Sequence, residues 1–368
     1  MTDEPAPPTA RAIQQIRRAL LAHYDAHARD LPWRRTRDPY AIWVSEVMLQ
    51  QTRVETVLRY YERFLQRFPD PTSLARAGED SVLAAWSGLG YYRRARLLHA
   101  GVREVVAKYG GQVPDAPELR RKLPGVGRYT AGAIGSIAFD REEPLVDGNV
   151  ARVFARLFGI DTPLGQRDTE ARLWALAERI VKGTRPGALN QAVMELGALT
   201  CTKHSPQCAR CPVARPCHAR AHARTAELPR VLKKVPPQLR ELVALMALDA
   251  TGERIVLQRS AQGLFAGLWN LPMCEGHART AARELARSLG LRGTLAKHPR
   301  ATVEHVLTHR RLRVELYDLR LDEGLQMKSD ALALRLQPRD RLDELGVSSL
   351  TRKALAALDL PAQLSLVE

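Results

Sequence analysis

The sequence predicts two domains of different class, an all-α domain followed by an α+β domain. Three observations point there. A chain of 368 residues suits about two domains at roughly 150 residues each. Up to about residue 224 the apolar residues recur at helical spacing, with no convincing two-residue alternation. Past the basic, Pro-rich stretch from Ala226 to Gln238, alternation and turn signals begin. The expected boundaries are a flexible tail over 1–8, a helical domain over 9–225, a linker over 226–238 and an α+β domain over 239–368.

The first helix follows from Arg11 to Ala28, where Ile13, Ile16, Leu20 and Leu21 share a helical period. Asp38-Pro39 starts a second, with a capping carboxylate and then proline in the first turn. Its apolar residues predict a run through Trp43, Val47, Val54, Val57 and Leu58 to Tyr61. Further helices are expected over 81–85, 93–109, 117–122, 129–139, 150–158, 170–181 and 190–199. In the second domain, 242–248 and 254–259 flank Asp249-Ala250-Thr251-Gly252-Glu253, a hairpin signal. A helix fits 280–289, and the alternation over 311–317 is that of a half-buried strand.

Hydrophobic residues make up 45% and charged residues 26%, an ordinary globular balance that excludes a wholly disordered chain. Lysine and arginine total 56 against 40 acidic residues, a net +16. Residues 1–226 carry +11 of that and the remainder +5. A polyanion such as nucleic acid is the simplest partner for such a charge, with most of its contact surface on the helical domain. A generally Arg-rich composition would give the same sum. No apolar run is long enough to span a membrane. The acidic, Pro-rich start is unlike a secretory signal and reads as the tail of a cytoplasmic protein.

Four of the five cysteines fall within 17 residues. Cys201, Cys208, Cys211 and Cys217 are spaced C-x6-C-x2-C-x5-C, a set that can bind zinc or an iron–sulfur cluster. The outer gaps are long for two zinc knuckles. Cys274 stands apart, with a buried apolar role as its default.

Leu123-Pro124-Gly125-Val126-Gly127 lies between two helical segments. Gly125 and Gly127 allow a tight turn and close approach of backbone N–H groups to an anion, beside a helix N-terminus. A helix–hairpin–helix gripping one DNA phosphate would have this pattern, as would an ordinary glycine turn. Glu46 lies in a largely apolar helix. Buried there, its pKa would rise and it could serve as a general acid near neutral pH. Asp147 precedes a helix and also suits an N-cap. Glycosidic cleavage needs an acid for the leaving group and a carboxylate for the cation-like centre, so these two form a candidate pair.

Taken together, the Glu46 helix, the hairpin, Asp147 and the four cysteines resemble the helix–hairpin–helix DNA glycosylases. Leu31-Pro32-Trp33, Ser45-Glu46-Val47-Met48-Leu49-Gln50-Gln51-Thr52, Gly88-Leu89-Gly90-Tyr91-Tyr92 and Asp147-Gly148-Asn149-Val150 look like signatures of the adenine-specific, MutY-type branch. The likeness is strong over about residues 10–225 and weak over 238–365. It implies base-excision repair of adenine mispaired with 8-oxoguanine or guanine in double-stranded DNA, with a 4Fe–4S cluster on the four cysteines. A bacterial, nucleoid-acting monomer is expected. Lyase relatives carry an amine nucleophile two residues after the hairpin's last glycine. Here that position is Tyr129, which cannot form a Schiff base, so a monofunctional glycosylase is expected.

By the same resemblance Tyr129 and Asn149 support the catalytic carboxylates. Trp33, Arg34, Leu49 and Gln191 line the adenine pocket, and Gln51 and Tyr91 wedge into the base stack. In the second domain, Glu275 followed by Arg283-Glu284-Leu285 echoes part of a Nudix box. The metal-binding pair would fall at Arg287 and Ser288, poor ligands for a hard cation, so a Nudix-like domain without hydrolase activity is expected. The lesion-reading loop of the family would fall at Leu307-Thr308-His309, with Thr308 and His309 as contacts and the family's usual aromatic replaced by leucine. A bifunctional lyase, a DNA-binding module with a structural metal and an active Nudix hydrolase are the competing readings.

Overall fold

The computed structural model describes residues 7–232, 236–307, 309–323 and 333–357. Two compact units emerge, one from Met1–Arg76 with Leu97–Lys233, the other from Ala77–Arg96 with Lys234–Glu368. The second therefore takes a segment from inside the stretch expected to be one helical domain.

Helix α1 (Ala10–His27) is capped by the Thr9 hydroxyl and buries Ile13, Ile16 and Leu20. Helix α2 (Pro39–Leu49) starts as the sequence predicts, the Asp38 carboxylate accepting from the N–H groups of Tyr40 and Ala41. It does not run on to Tyr61. The chain breaks at Gln50–Arg53 and restarts as α3 (Val54–Arg67). Gln51 sits at φ +56°, in the left-handed region, so the helix cannot pass through it. Both pieces bury an apolar face, which kept the period alive across the break.

There follow α4 (Pro71–Arg76), α5 (Glu79–Ala85), α6 (Arg93–Tyr109), α7 (Pro117–Arg120), α8 (Arg128–Ala138), α9 (Gly148–Leu157), α10 (Arg167–Val181), α11 (Pro186–Glu195) and α12 (His218–Ala221). The helix expected over 190–199 starts earlier and loosens at its end into a π turn, Leu196–Thr200. Ile13, Ile16 and Leu20 of α1 share one core with Val153 and Phe154 of α9, Leu173 and Ile180 of α10, and Val193 of α11. The first residues of the expected linker are tied to this unit. Leu228 is buried, its carbonyl accepts from Arg156 Nε at 2.8 Å, and Leu164 N–H bonds to Arg230 O.

The second unit is built on one eight-stranded sheet. Strand β1 (Gln238–Leu248) pairs antiparallel with β2 (Arg254–Arg259), the expected hairpin. β3 (Trp269–Asn270) extends β2, and β4 (Met273–Glu275) pairs with β1. Helix α13 (Ala278–Ser288) precedes β5 (Gly293–Leu295) and β6 (Ala301–Val306). β7 (Arg310–Leu321), the other predicted strand, runs parallel to β1 and pairs antiparallel with β5 and β6. β8 (Leu334–Pro338) pairs with β2, and α14 (Ser349–Ala356) follows. Both sheet faces are covered. Leu242, Ala244 and Met246 of β1 join the core with Leu350 and Ala354 of α14, while Val243, Leu245 and Ala247 join the core with Ala282 and Leu285 of α13. This explains why β1 reads as an unbroken apolar run.

Candidate active site

Eight of the sequence-predicted residues line one cavity of about 170 Å³ in the first unit. They are Trp33, Arg34, Glu46, Leu49, Tyr129, Asp147, Asn149 and Gln191. Their elements are far apart in sequence: the short 3-10 turn Pro32–Arg34, α2, the first turn of α8, the start of α9, and α11.

Glu46 is buried on α2. Withdrawal from water pushes its carboxyl up to about 7, and the nearby charge of Asp147 adds to this. The Tyr129 hydroxyl donates to Glu46 Oε2 at 2.7 Å, which favours the ionised form and holds the rise in check. Tyr129 enters this position from the hairpin. Gly125 turns the chain at φ +76°, and a Cβ there would come within 2.7 Å of Leu97 Cβ. Gly127 then caps α8 with no side-chain bond to its first-turn N–H groups, leaving them for an external anion. Two residues on, Tyr129 reaches Glu46.

Asp147 is both an N-cap and a site residue. Its Oδ1 accepts from Val150 N–H at 2.7 Å, and its Oδ2 accepts from Asn149 Nδ2 at 3.0 Å. Burial still leaves its pKa above the usual carboxylate value, those bonds opposing the rise. Asn149 is held in turn by Arg152, which also donates to Gly197 O at 2.6 Å and Cys201 O at 2.8 Å. Gly197 must be glycine for this close approach, since a Cβ would lie 2.7 Å from Asn149 Cβ.

Among the cavity residues the sequence reading did not single out is a third carboxylate. Glu195, at the end of α11, is buried beside Arg34 and Arg29. It pairs with the Arg34 guanidinium, and its Oε1 accepts from Arg29 N–H at 2.8 Å. Burial works to raise its pKa, but these bonds outweigh it and hold Glu195 below the ordinary glutamate value. Its apolar neighbours Met194 and Leu196 were the available signal for a buried carboxylate.

Gln51 and Tyr91 do not line the cavity. Gln51 is exposed at the α2–α3 break in the first unit. Tyr91 is 49% exposed at φ +47° in the second, with Arg94 stacked 5.4 Å from its ring centroid. His309 is exposed, its carbonyl accepting from Gln238 N–H, and Thr308 lies outside the described residues.

Cys201, Cys208, Cys211 and Cys217 are free thiols lining one small cavity with Arg156, Pro206 and Ala214. Buried Arg156 places Nη1 at 3.4 Å from Cys201 Sγ, a cation suited to offset thiolate charge. Burial raises the Cys211 thiol to about 11, so a metal must displace its proton. Four cysteines on one cavity are a donor set that fits an iron–sulfur cluster. On α13, Arg287 is exposed and Ser288 Oγ bonds its own helix at Leu285 O, leaving no hard-cation ligand at the Nudix positions.

Comparison with known proteins finds two family models along the chain. The model of the HhH-GPD superfamily of base excision DNA repair proteins matches residues 44–179, and that of the NUDIX domain matches residues 243–357. The mouse adenine DNA glycosylase is 38% identical over 370 residues, spanning 85% of this chain and 72% of the mouse protein. The human adenine DNA glycosylase is 36% identical over 402 residues, spanning 93% and 73%. Among solved structures, a thermostable thymine-DNA glycosylase superposes with a TM-score of 0.51 at 28% identity, over 57% of this chain and 97% of that one.

Proposed function

The chain belongs to the adenine DNA glycosylases of the base-excision repair superfamily, and from this premise we propose that it hydrolyses the N-glycosidic bond of adenine mispaired with 8-oxoguanine or guanine. The observation that carries the reading is the shared cavity of Glu46 and Asp147, with Glu46 raised to about 7.

The glycosidic bond is inaccessible inside a base stack, so the adenine must first leave it. Trp33, Leu49, Arg34 and Gln191 receive the flipped base. Glu46, still protonated near neutral pH, gives its proton to adenine N7 and makes the base a better leaving group. Asp147 stabilises the cation that develops at the sugar carbon or traps it briefly, and water completes the hydrolysis. Tyr129 and Asn149 fix the two carboxylates. Tyr129 offers no amine at the lyase position, so the product is an intact abasic strand.

The N–H groups at Gly125–Gly127 hold a backbone phosphate without reading sequence. Gln51 and Tyr91 enter the stack, and Thr308 and His309 read 8-oxoguanine. Cys201, Cys208, Cys211 and Cys217 hold a 4Fe–4S cluster. When bound, it supplies four metal–thiolate bonds that fix the loop over 201–217. The protein acts as a monomer in a bacterial cytoplasm. No helix among the described residues is long and apolar enough to cross a membrane.

The test is a duplex with one adenine opposite 8-oxoguanine, sampled before and after hot alkali. Strand breaks only after alkali are expected. Breaks before alkali would overturn the monofunctional assignment, and no breaks from protein that binds the duplex would overturn the substrate.

A further inference from the structure

Within the second unit, α13, the loop after it, β5 and β7 enclose a groove of about 710 Å³. Its floor is Ala286, Leu291, Leu295 and Leu319, and its rim is Arg279, Arg283, Arg287 and Arg292. Three of these arginines follow one another at four-residue spacing on α13, so they stack along one face of the helix. Like charges at that spacing work against a helix. The first turn of α13 holds no acidic residue, and Arg279 stands there against the helix dipole.

Among the described residues no ion pair offsets this arrangement. Arg240, Arg259, Arg300, Arg311, Arg313 and Arg352 of the same unit each face a carboxylate. Arg279 spends its donors on the carbonyls of Leu295 and Ala296. Arg283, Arg287 and Arg292 are exposed and make no ion pair among the described residues. Glu284, the one acidic residue of α13, lies near the Cys274 thiol. Where a Nudix hydrolase would carry a pair of carboxylates for a cation, this helix has Arg287 and Ser288. Arg287 thus adds a positive charge at a position that would otherwise be acidic.

We propose that this arginine-rimmed groove on α13 binds the sugar–phosphate backbone of duplex DNA, as a contact separate from the lesion-reading loop. Guanidinium groups pair with phosphate oxygens, and the apolar floor accommodates the sugar edge. Successive arginines on α13 are about 6 Å apart along the helix axis, roughly two base-pair steps of B-DNA. The contact is sequence-neutral. It rests on duplex DNA being the substrate, as proposed above.

The experiment compares the full chain with the triple variant Arg283→Gln, Arg287→Gln, Arg292→Gln and with the matching triple lysine variant. Duplex affinity is measured from 50 to 200 mM salt, on undamaged and mispaired DNA. The expected result is a salt slope lower by roughly 2–3 for the glutamine variant. Both duplexes should weaken alike, the slope should hold in the lysine variant, and single-turnover adenine release at saturating enzyme should be unchanged. An unchanged slope and affinity would overturn the proposal. So would a glutamine variant that loses binding of inorganic pyrophosphate yet keeps duplex affinity, because the groove would then take free phosphates. If the full chain binds duplex with the expected slope difference but releases no adenine, the assigned function fails and the groove stands.

Discussion

Two buried carboxylates line the same cavity, and their environments drive their pKa values in opposite directions. Glu46 on α2 is hydrogen-bonded by a tyrosine hydroxyl and feels Asp147 and Arg34 only through their charge, and burial lifts it to about 7. Glu195 at the end of α11 is also buried, yet the Arg34 and Arg29 bonds hold it below the ordinary value. Burial with one neutral donor leaves a carboxyl protonated near neutral pH, whereas burial with direct arginine bonds keeps it charged. One group therefore offers a proton and the other is a fixed anion that anchors Arg34. This is the separation of roles expected where acid chemistry runs at neutral pH.

The largest effect should come from removing the acid itself. Glu46→Gln is expected to slow adenine release by ~10²–10⁴-fold in single-turnover assays. The same change should stabilise the fold at high pH. The folded pKa of Glu46 lies above its unfolded value of 4.5, so the wild-type chain carries an ionisation penalty that grows from about pH 4.5 and saturates past 7. At pH 8 the variant should gain up to about 3 kcal/mol, and at pH 4 nothing. Denaturant titrations at both pH values check this, and a variant less stable at pH 8 would contradict the neutral, buried acid.

At the second carboxylate, Arg34→Met leaves Glu195 buried beside a weaker partner. A loss of about 3 kcal/mol in unfolding free energy is expected. That loss should shrink as pH falls far enough to protonate Glu195. A smaller change follows from Tyr129→Phe, which removes the hydroxyl that favours ionised Glu46. The alkaline limb of the pH–rate profile should move to higher pH, with the plateau rate altered by less than about tenfold. The smallest effect is expected from Asn149→Ala. Asp147 loses the Asn149 side-chain bond and keeps the backbone bonds from Val150 and residue 149, so the acid limb should move up in pH while the alkaline limb stays in place.

Local signals marked Glu46 and Asp147 as candidates, an apolar helix around the first and a helix start at the second, but only the family resemblance joined them with Tyr129 and Asn149 in one site. Glu195 was not legible, because its partners Arg29 and Arg34 come from about 160 residues upstream and helical period says nothing about them. Arg152, joining Asn149 to the Cys201 carbonyl, escaped for the same reason. The break at Gln51 was hidden differently. Apolar spacing survives a turn when the helices on both sides bury the face that carries it. The expected strands over 242–248, 254–259 and 311–317 were readable from alternation and a turn of ordinary chemistry.

The second unit takes one of its pieces, Ala77–Arg96, from the first third of the chain. That piece carries Leu83 and Trp86, both fully buried, and Tyr92, whose hydroxyl donates to Val347 O across 255 residues. During synthesis it leaves the ribosome roughly ten seconds to a minute before Val347 exists. For that interval the Tyr92 hydroxyl lacks its Val347 acceptor. A fragment ending at the linker would lack it for good, so truncation there removes a long-range tie from a segment made early in synthesis.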